Sequence, residues 1–148
     1  MYETLLTIHN FLRWLFLAAA VYAIFRALQG TRNQTPFGKE DKTAGAIFLG
    51  TAHSQLLIGL FLWVLSPVVQ QALNDVSASM HNKTLRFQML EHPLVMIIAI
   101  TIIQIGRIKS KKAYADLDKH KRCLVYYSIG LILVLSRIPW STSEAFRF

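Results

Sequence analysis

Six ionisable side chains fall inside stretches that are otherwise almost wholly apolar. His9 and Arg13 lie in "TIHNFLRWLF", His53 in "AHSQLLIGLFLW", Glu91 and His92 in "MLEHPLVMIIAI", and Arg137 near the end of the last apolar block. A charged group within a lipid-embedded helix is expensive, and such residues are functional candidates by default. Two or three imidazoles with arginines nearby suit a b-type haem, which needs one or two axial histidines. Its anionic propionates would take cations such as Arg13 and Arg137. The same residues admit a second chemistry. His53, with the polar run "HSQ", would join His9, His92 and Glu91 as a non-haem metal site or proton path. A third reading makes the chain a structural subunit whose polar residues lock its helices together.

The elements that must position these groups are helices. The chain has 148 residues, 53% hydrophobic and 16% charged, with a mean hydropathy of +0.37. Its apolar residues come in long blocks, Leu5 to Leu28, Ala44 to Leu65, Phe87 to Ile108 and Cys123 to Trp140. About 20 helical residues cross the ~30 Å hydrocarbon core of a bilayer. The sequence therefore predicts an all-α, single-domain membrane protein of four transmembrane helices, over about 4–28, 44–66, 86–108 and 122–140. Short to medium connections favour an antiparallel up-down-up-down bundle, in which the first and third helices are diagonal, as are the second and fourth. Helix 1 is expected to end around Gly30, with "NQTPFG" as the turn before helix 2. Pro67 closes helix 2, "VVQQALNDV" suits a short interfacial helix, Pro93 kinks the start of helix 3, and Pro139 closes helix 4.

Depth distinguishes the candidates. A first span starting after Arg13 would leave about 15 apolar residues, ~22 Å, which is short for the core, so Arg13 sits roughly 12 Å deep. Such a guanidinium calls for an anionic partner inside the bundle, for which Glu91, or a bound acidic group, is the candidate. His9 and His92 lie roughly 6–8 Å below one surface, level with each other, whereas His53 lies roughly 14 Å from the other. At 100° per residue His9, Arg13, Phe16, Ala20, Ala23 and Ala27 share one stripe. His92, Met96, Ala99, Ile103 and Gly106 share another, Ala46, His53, Leu57 and Leu60 a third, and Cys123, Tyr126, Gly130, Leu133 and Arg137 a fourth. Small residues on such stripes serve close packing or leave room for a flat ligand. His81 and His120 fall in polar connections and are expected to be solvated.

The formal charge of +8 is unevenly spread. Arg26, Arg32, Lys39 and Lys42 lie between helices 1 and 2, and seven basic residues from Arg107 to Arg122 lie between helices 3 and 4. The connection between helices 2 and 3 holds only Lys83 and Arg86. The positive-inside rule puts the two basic loops in the cytoplasm and both termini outside. The charge is explained by topology and by anionic lipid headgroups rather than by nucleic acid. A single cysteine, Cys123, excludes an internal disulfide framework or a cysteine-rich metal site. "MYETLL" lacks the basic n-region of a secretory signal, so the first helix is expected to remain.

"HNFLRWLFLAAAVYAIFRA" (residues 9–27), with "AHSQLLIGLFLW" and "MLEHPLVMIIAI", resembles small four-helix bacterial membrane proteins described as cytochrome-b-like. The resemblance covers most of the membrane part. It implies haem b, electron exchange with a quinol or a partner redox protein, and a place in a bacterial inner membrane. His9, His53 and His92 are the positions that would carry the role. The chain lacks the four histidines of a two-haem respiratory core, so one haem is the expected maximum. His9 and His92 are the expected axial pair, Arg13 and Arg137 the propionate partners, and His53 a supporting or alternative ligand. No catalytic turnover is assigned, and a non-catalytic electron-transfer subunit is the expectation.

Overall fold

A computed structural model describes residues 1–140, and every regular element among them is helical. The order is α1 (Tyr2–Asn33), α2 (Lys39–Leu65), α3 (Pro67–Asn74), α4 (Val76–His81), α5 (Lys83–Arg86), a π-helical turn (Phe87–Glu91), α6 (His92–Lys112) and α7 (Asp116–Ser136). The 32 residues of α1 span roughly 48 Å, well over a ~30 Å core. This helix runs past Gly30 and stops at Gln34, whose φ of 51° is left-handed. The α1–α2 turn closes when the Gly38 amide donates to Asp41 Oδ2 at 2.9 Å. Arg26 pairs with Asp41 at 3.0 Å and Glu40 at 2.9 Å.

The expected interfacial helix is α3. Pro67 occupies its first position, where the missing N–H is harmless, and the Ser66 hydroxyl accepts from the Val69 amide at 3.3 Å. Asp75 and Asn82 cap α4 and α5 in the same way, accepting from Ala78 and from Thr84 and Leu85. Pro93 acts more specifically than a kink. It has no N–H to give the Met89 carbonyl four residues back, and its ring crowds that carbonyl. The backbone widens instead, and the His92 amide reaches back five residues to the Phe87 carbonyl. The released Met89 carbonyl accepts the Trp63 indole N–H of α2 at 2.9 Å.

α1 packs against α2 and α7, and α6 against the same two helices. The core between them is built from small residues (Ala20, Ala23, Ala52, Ala99) and from Phe16, Phe48, Ile103 and Tyr127. Phe48 links two rings, with centroids 5.4 Å from Phe16 and 5.2 Å from Tyr127. At Gly130 an added Cβ would overlap the Ile103 side chain, so glycine is what lets α7 approach α6. The outer face carries exposed Phe11, Val21, Phe25, Ile47, Phe61 and Val64, a surface suited to lipid rather than water.

Three helical stretches are long and apolar enough to span a membrane, Tyr2–Asn33, Lys39–Leu65 and Lys83–Lys112. The fourth differs from expectation. α7 begins at Asp116 and ends at Ser136 rather than covering 122–140, so its apolar part is about 14 residues, roughly 21 Å. Arg137 to Trp140 form a turn beyond it. The polar segment before it is helical because water can solvate its lysines while Asp116 and Asp118 favour the helix N-terminus. Only Ala113 to Ala115 connect α6 to α7. His120 is thereby inside a helix and 0% exposed, not solvated. Its Nε2 donates to the Thr35 carbonyl at 3.1 Å, and its ring lies 4.9 Å from that of Phe37.

Candidate functional site

A cavity of about 710 Å³ runs from Phe16 and Ala52 in the interior to Lys83, Thr84 and Arg86 in the connection between α2 and α6. His9, Arg13, Glu91, His92 and Arg137 all line it, so the structure brings five of the six sequence candidates to one place. His9 lies within charge–charge range of both His92 and Arg13. The stripe on α1 faces inward as expected, from half-buried His9 through Arg13, Phe16, Ala20, Ala23 and Ala27. The α6 stripe of His92, Met96, Ala99, Ile103 and Gly106 is also turned inward.

His53 is the exception. It is exposed and does not line the cavity. Its companions Ala46, Leu57 and Leu60 are exposed too, so that stripe is a real helical face pointing mostly outward, with Leu60 reaching the cavity's edge. The inner face of α2 carries Gly45, Phe48, Ala52 and Leu62. Both faces are apolar and both hold small residues, because lipid and a packed interior ask for the same composition. Sequence pattern therefore had nothing to choose between them. Of the four residues of the expected metal or proton path, His9, His92 and Glu91 line the cavity and His53 does not.

Each histidine is held differently. His92 Nδ1 lies 2.8 Å from the Arg137 backbone carbonyl. A carbonyl only accepts, so Nδ1 carries the proton and Nε2 keeps its lone pair. The α7 terminus makes this bond possible: Arg137 turns out of the helix and its own amide returns to the Val134 carbonyl at 3.0 Å. The His9 ring packs over Gly59, where an added Cβ would stand 3.2 Å from Cε1. Gln55 Nε2 donates to the His9 carbonyl at 3.0 Å. Buried His9 Nδ1 and Gln55 Oε1 have no hydrogen-bond partner among the described residues. Two such atoms in one cavity are the kind of deficit that a ligand or water corrects.

Arg13 is 7% exposed, donates to Asn10 Oδ1 at 3.4 Å, and lies 5.5 Å from the centre of the Trp14 ring. Its expected pairing with Glu91 does not occur. Glu91 is engaged by Arg86, whose Nε is 2.7 Å from Oε1, and faces Arg137 Nε at 4.0 Å. The π turn is the cause. Five residues of ordinary helix put two side chains about 140° apart, whereas a turn closed by an i→i+5 bond stacks them. Arg86, Gln55 and the Trp63–Met89 bond were not anticipated as parts of the site. The glutamine stood in view beside His53, but the ion pair depends on a backbone widening for which Pro93 was the only signal.

Among the described residues no three His, Cys, Asp or Glu side chains converge in a way that could hold a metal ion. The donor set is two imidazoles, an apolar wall and a cationic rim. Compared with known proteins, the chain matches no family model, no curated sequence and no solved structure.

Proposed function

We propose that the chain is an integral-membrane b-type haem protein that exchanges electrons with a quinol or a partner redox protein. In this reading α1, α2, α6 and α7 form an antiparallel up-down-up-down bundle in a bacterial inner membrane. Both termini lie outside and the basic connections lie in the cytoplasm, the orientation that the charge asymmetry favours. The single observation that carries the reading is the meeting of His9 and His92, from different helices, on one cavity.

The residues fit the group. A volume of about 710 Å³ lies within the roughly 300–1,000 Å³ typical of small-molecule sites. His92 has the arrangement of a ligating imidazole, with Nδ1–H fixed by a backbone carbonyl and Nε2 left basic. His9 offers the second imidazole. Arg86 and Arg137 stand where anionic propionates need cations, and buried Arg13 adds positive charge deeper in the cavity. Haem bound there supplies one-electron exchange, at a potential governed by its ligands and its burial. The protein's own contribution is to fix the imidazole tautomer, exclude water with its apolar wall and hold the cations. A four-donor metal cage would need further ligands, whereas haem needs only the two histidines.

The test is the reduced-minus-oxidised absorption spectrum of the purified protein. A b-type spectrum is expected, abolished by His92→Ala, abolished or shifted by His9→Ala, and unchanged by His53→Ala. Colourless protein with no Soret band after haem supplementation overturns the reading.

A further inference from the structure

The rim of the cavity carries a charge arrangement of the protein's own. Arg86 is anchored at its Nη1 by the Met80 carbonyl at 2.8 Å, and its Nε grips Glu91 Oε1 at 2.7 Å. The other carboxylate oxygen, Oε2, faces Arg137 Nε at 4.0 Å, beyond hydrogen-bond length. That Nε is buried and has no hydrogen-bond partner among the described residues. Lys83 also lines the cavity and acts on Glu91 through its charge. Three cations thus surround one carboxylate, which satisfies one arginine well and the other poorly.

We propose that Glu91 is a built-in competitor for the acidic groups of the cavity's ligand. Its carboxylate holds, between Arg86 and Arg137, the place that a ligand carboxylate takes on binding. The inference rests on the haem reading and deepens it. The ligand class is a largely apolar ring bearing carboxylates, and Arg86 joins Arg137 as a residue that selects for those acids. Three features support it. The carboxylate and both guanidinium groups line the same cavity as the two histidines. The rim carries excess positive charge even with Glu91 ionised. A charge-assisted bond to arginine is strong enough that whichever carboxylate holds it excludes the other.

The experiment uses the full chain in uncharged detergent. Haemin, its dimethyl ester and iron-free protoporphyrin are titrated into wild type, Glu91→Gln, Arg86→Gln and Lys83→Gln, following Soret absorbance or porphyrin fluorescence. Glu91→Gln is expected to tighten haemin and protoporphyrin about tenfold and to leave the ester unchanged, since the ester has no acid to compete. Arg86→Gln weakens the two acids about tenfold. Lys83→Gln, on an exposed side chain, weakens them about threefold. Glu91→Gln leaving acid affinity unchanged while the unfolding midpoint is retained overturns the competitor, as does Glu91→Gln tightening the ester as much as the acids. If protoporphyrin behaves as expected but haemin shows no imidazole-ligated Soret shift, the competitor stands and the haem reading falls. Failure of both porphyrin acids to bind overturns both.

Discussion

Gly30 and His120 form a pair whose coupling can be measured. The His120 ring fills the space a side chain on Gly30 would need, and a Cβ added there overlaps Cε1, Nδ1 and Nε2 together. The ring cannot step aside, being tied to the Thr35 carbonyl and flanked by Phe37. Gly30→Ala therefore overpacks by about 3 kcal/mol, offset by about 1 kcal/mol of helix propensity, for a net loss of about 2. His120→Ala loses a hydrogen bond of about 1 kcal/mol and leaves a void that costs about 2, for a loss of about 3. In the double variant the new methyl meets no ring. Only the helix gain remains, and the loss falls to about 2 kcal/mol instead of the additive 5. The coupling is thus about 3 kcal/mol, six times the ~0.5 kcal/mol within which independent sites add. Reversible unfolding in mixed micelles, followed by far-ultraviolet circular dichroism, measures all four proteins. A double variant whose loss equals the sum of the singles would refute the packing argument.

Further outcomes are expected elsewhere. Trp63→Phe removes the donor to the Met89 carbonyl and lowers unfolding stability by about 1–3 kcal/mol, the cost of a buried acceptor left unmet; an unchanged midpoint would show that the π turn does not need it. Gly130→Ala, whose Cβ meets Ile103, destabilises by about 1–3 kcal/mol. Gly50→Ala meets nothing within 4 Å and should stabilise by up to about 1 kcal/mol, the same unfolding assay reading both. The Asp116 carboxylate is held below its ordinary value of 3.8, first by the Lys119 ammonium and then by a bond to the Phe37 backbone. A depressed acid contributes stability above its unfolded value and loses it as pH falls through its lower folded value. Asp116→Asn should flatten the acid limb of the midpoint-versus-pH curve below about pH 4.

The helical face of α1 was legible because Arg13 carries a permanent charge among small residues, and a charge has only one inexpensive direction in a lipid-facing helix. Arg13 therefore pointed inward on sequence grounds and took His9 on the same stripe with it, whereas His92 had only the small residues Ala99 and Gly106 to mark its face. His53 misled for the complementary reason. Imidazole on an apolar helix is not costly enough to enforce burial, and α2 offers two apolar faces of similar composition. Element limits were read from hydropathy, which reports the bilayer and not the hydrogen-bond ladder. α1 and α7 continue into polar sequence, and His120 went unrecognised as a core residue. The Arg86–Glu91 pair was out of reach of any 100° wheel because the wheel is wrong by one residue where Pro93 interrupts it.

The bond between His92 Nδ1 and the Arg137 carbonyl belongs to the main chain, so a scan of side-chain substitutions is blind to it. Replacing Arg137 by any ordinary residue leaves the accepting oxygen in place, and only the guanidinium's share in the rim is lost. What the ring on α6 senses is where α7 stops. Adding or deleting one residue in the last turn of α7 would carry the carbonyl about 1.5 Å along the axis and 100° around it, unseating the proton that fixes the tautomer. The length of one helix is in this sense a determinant of the basicity of a side chain on another, and variation by insertion would expose a constraint that variation by substitution conceals.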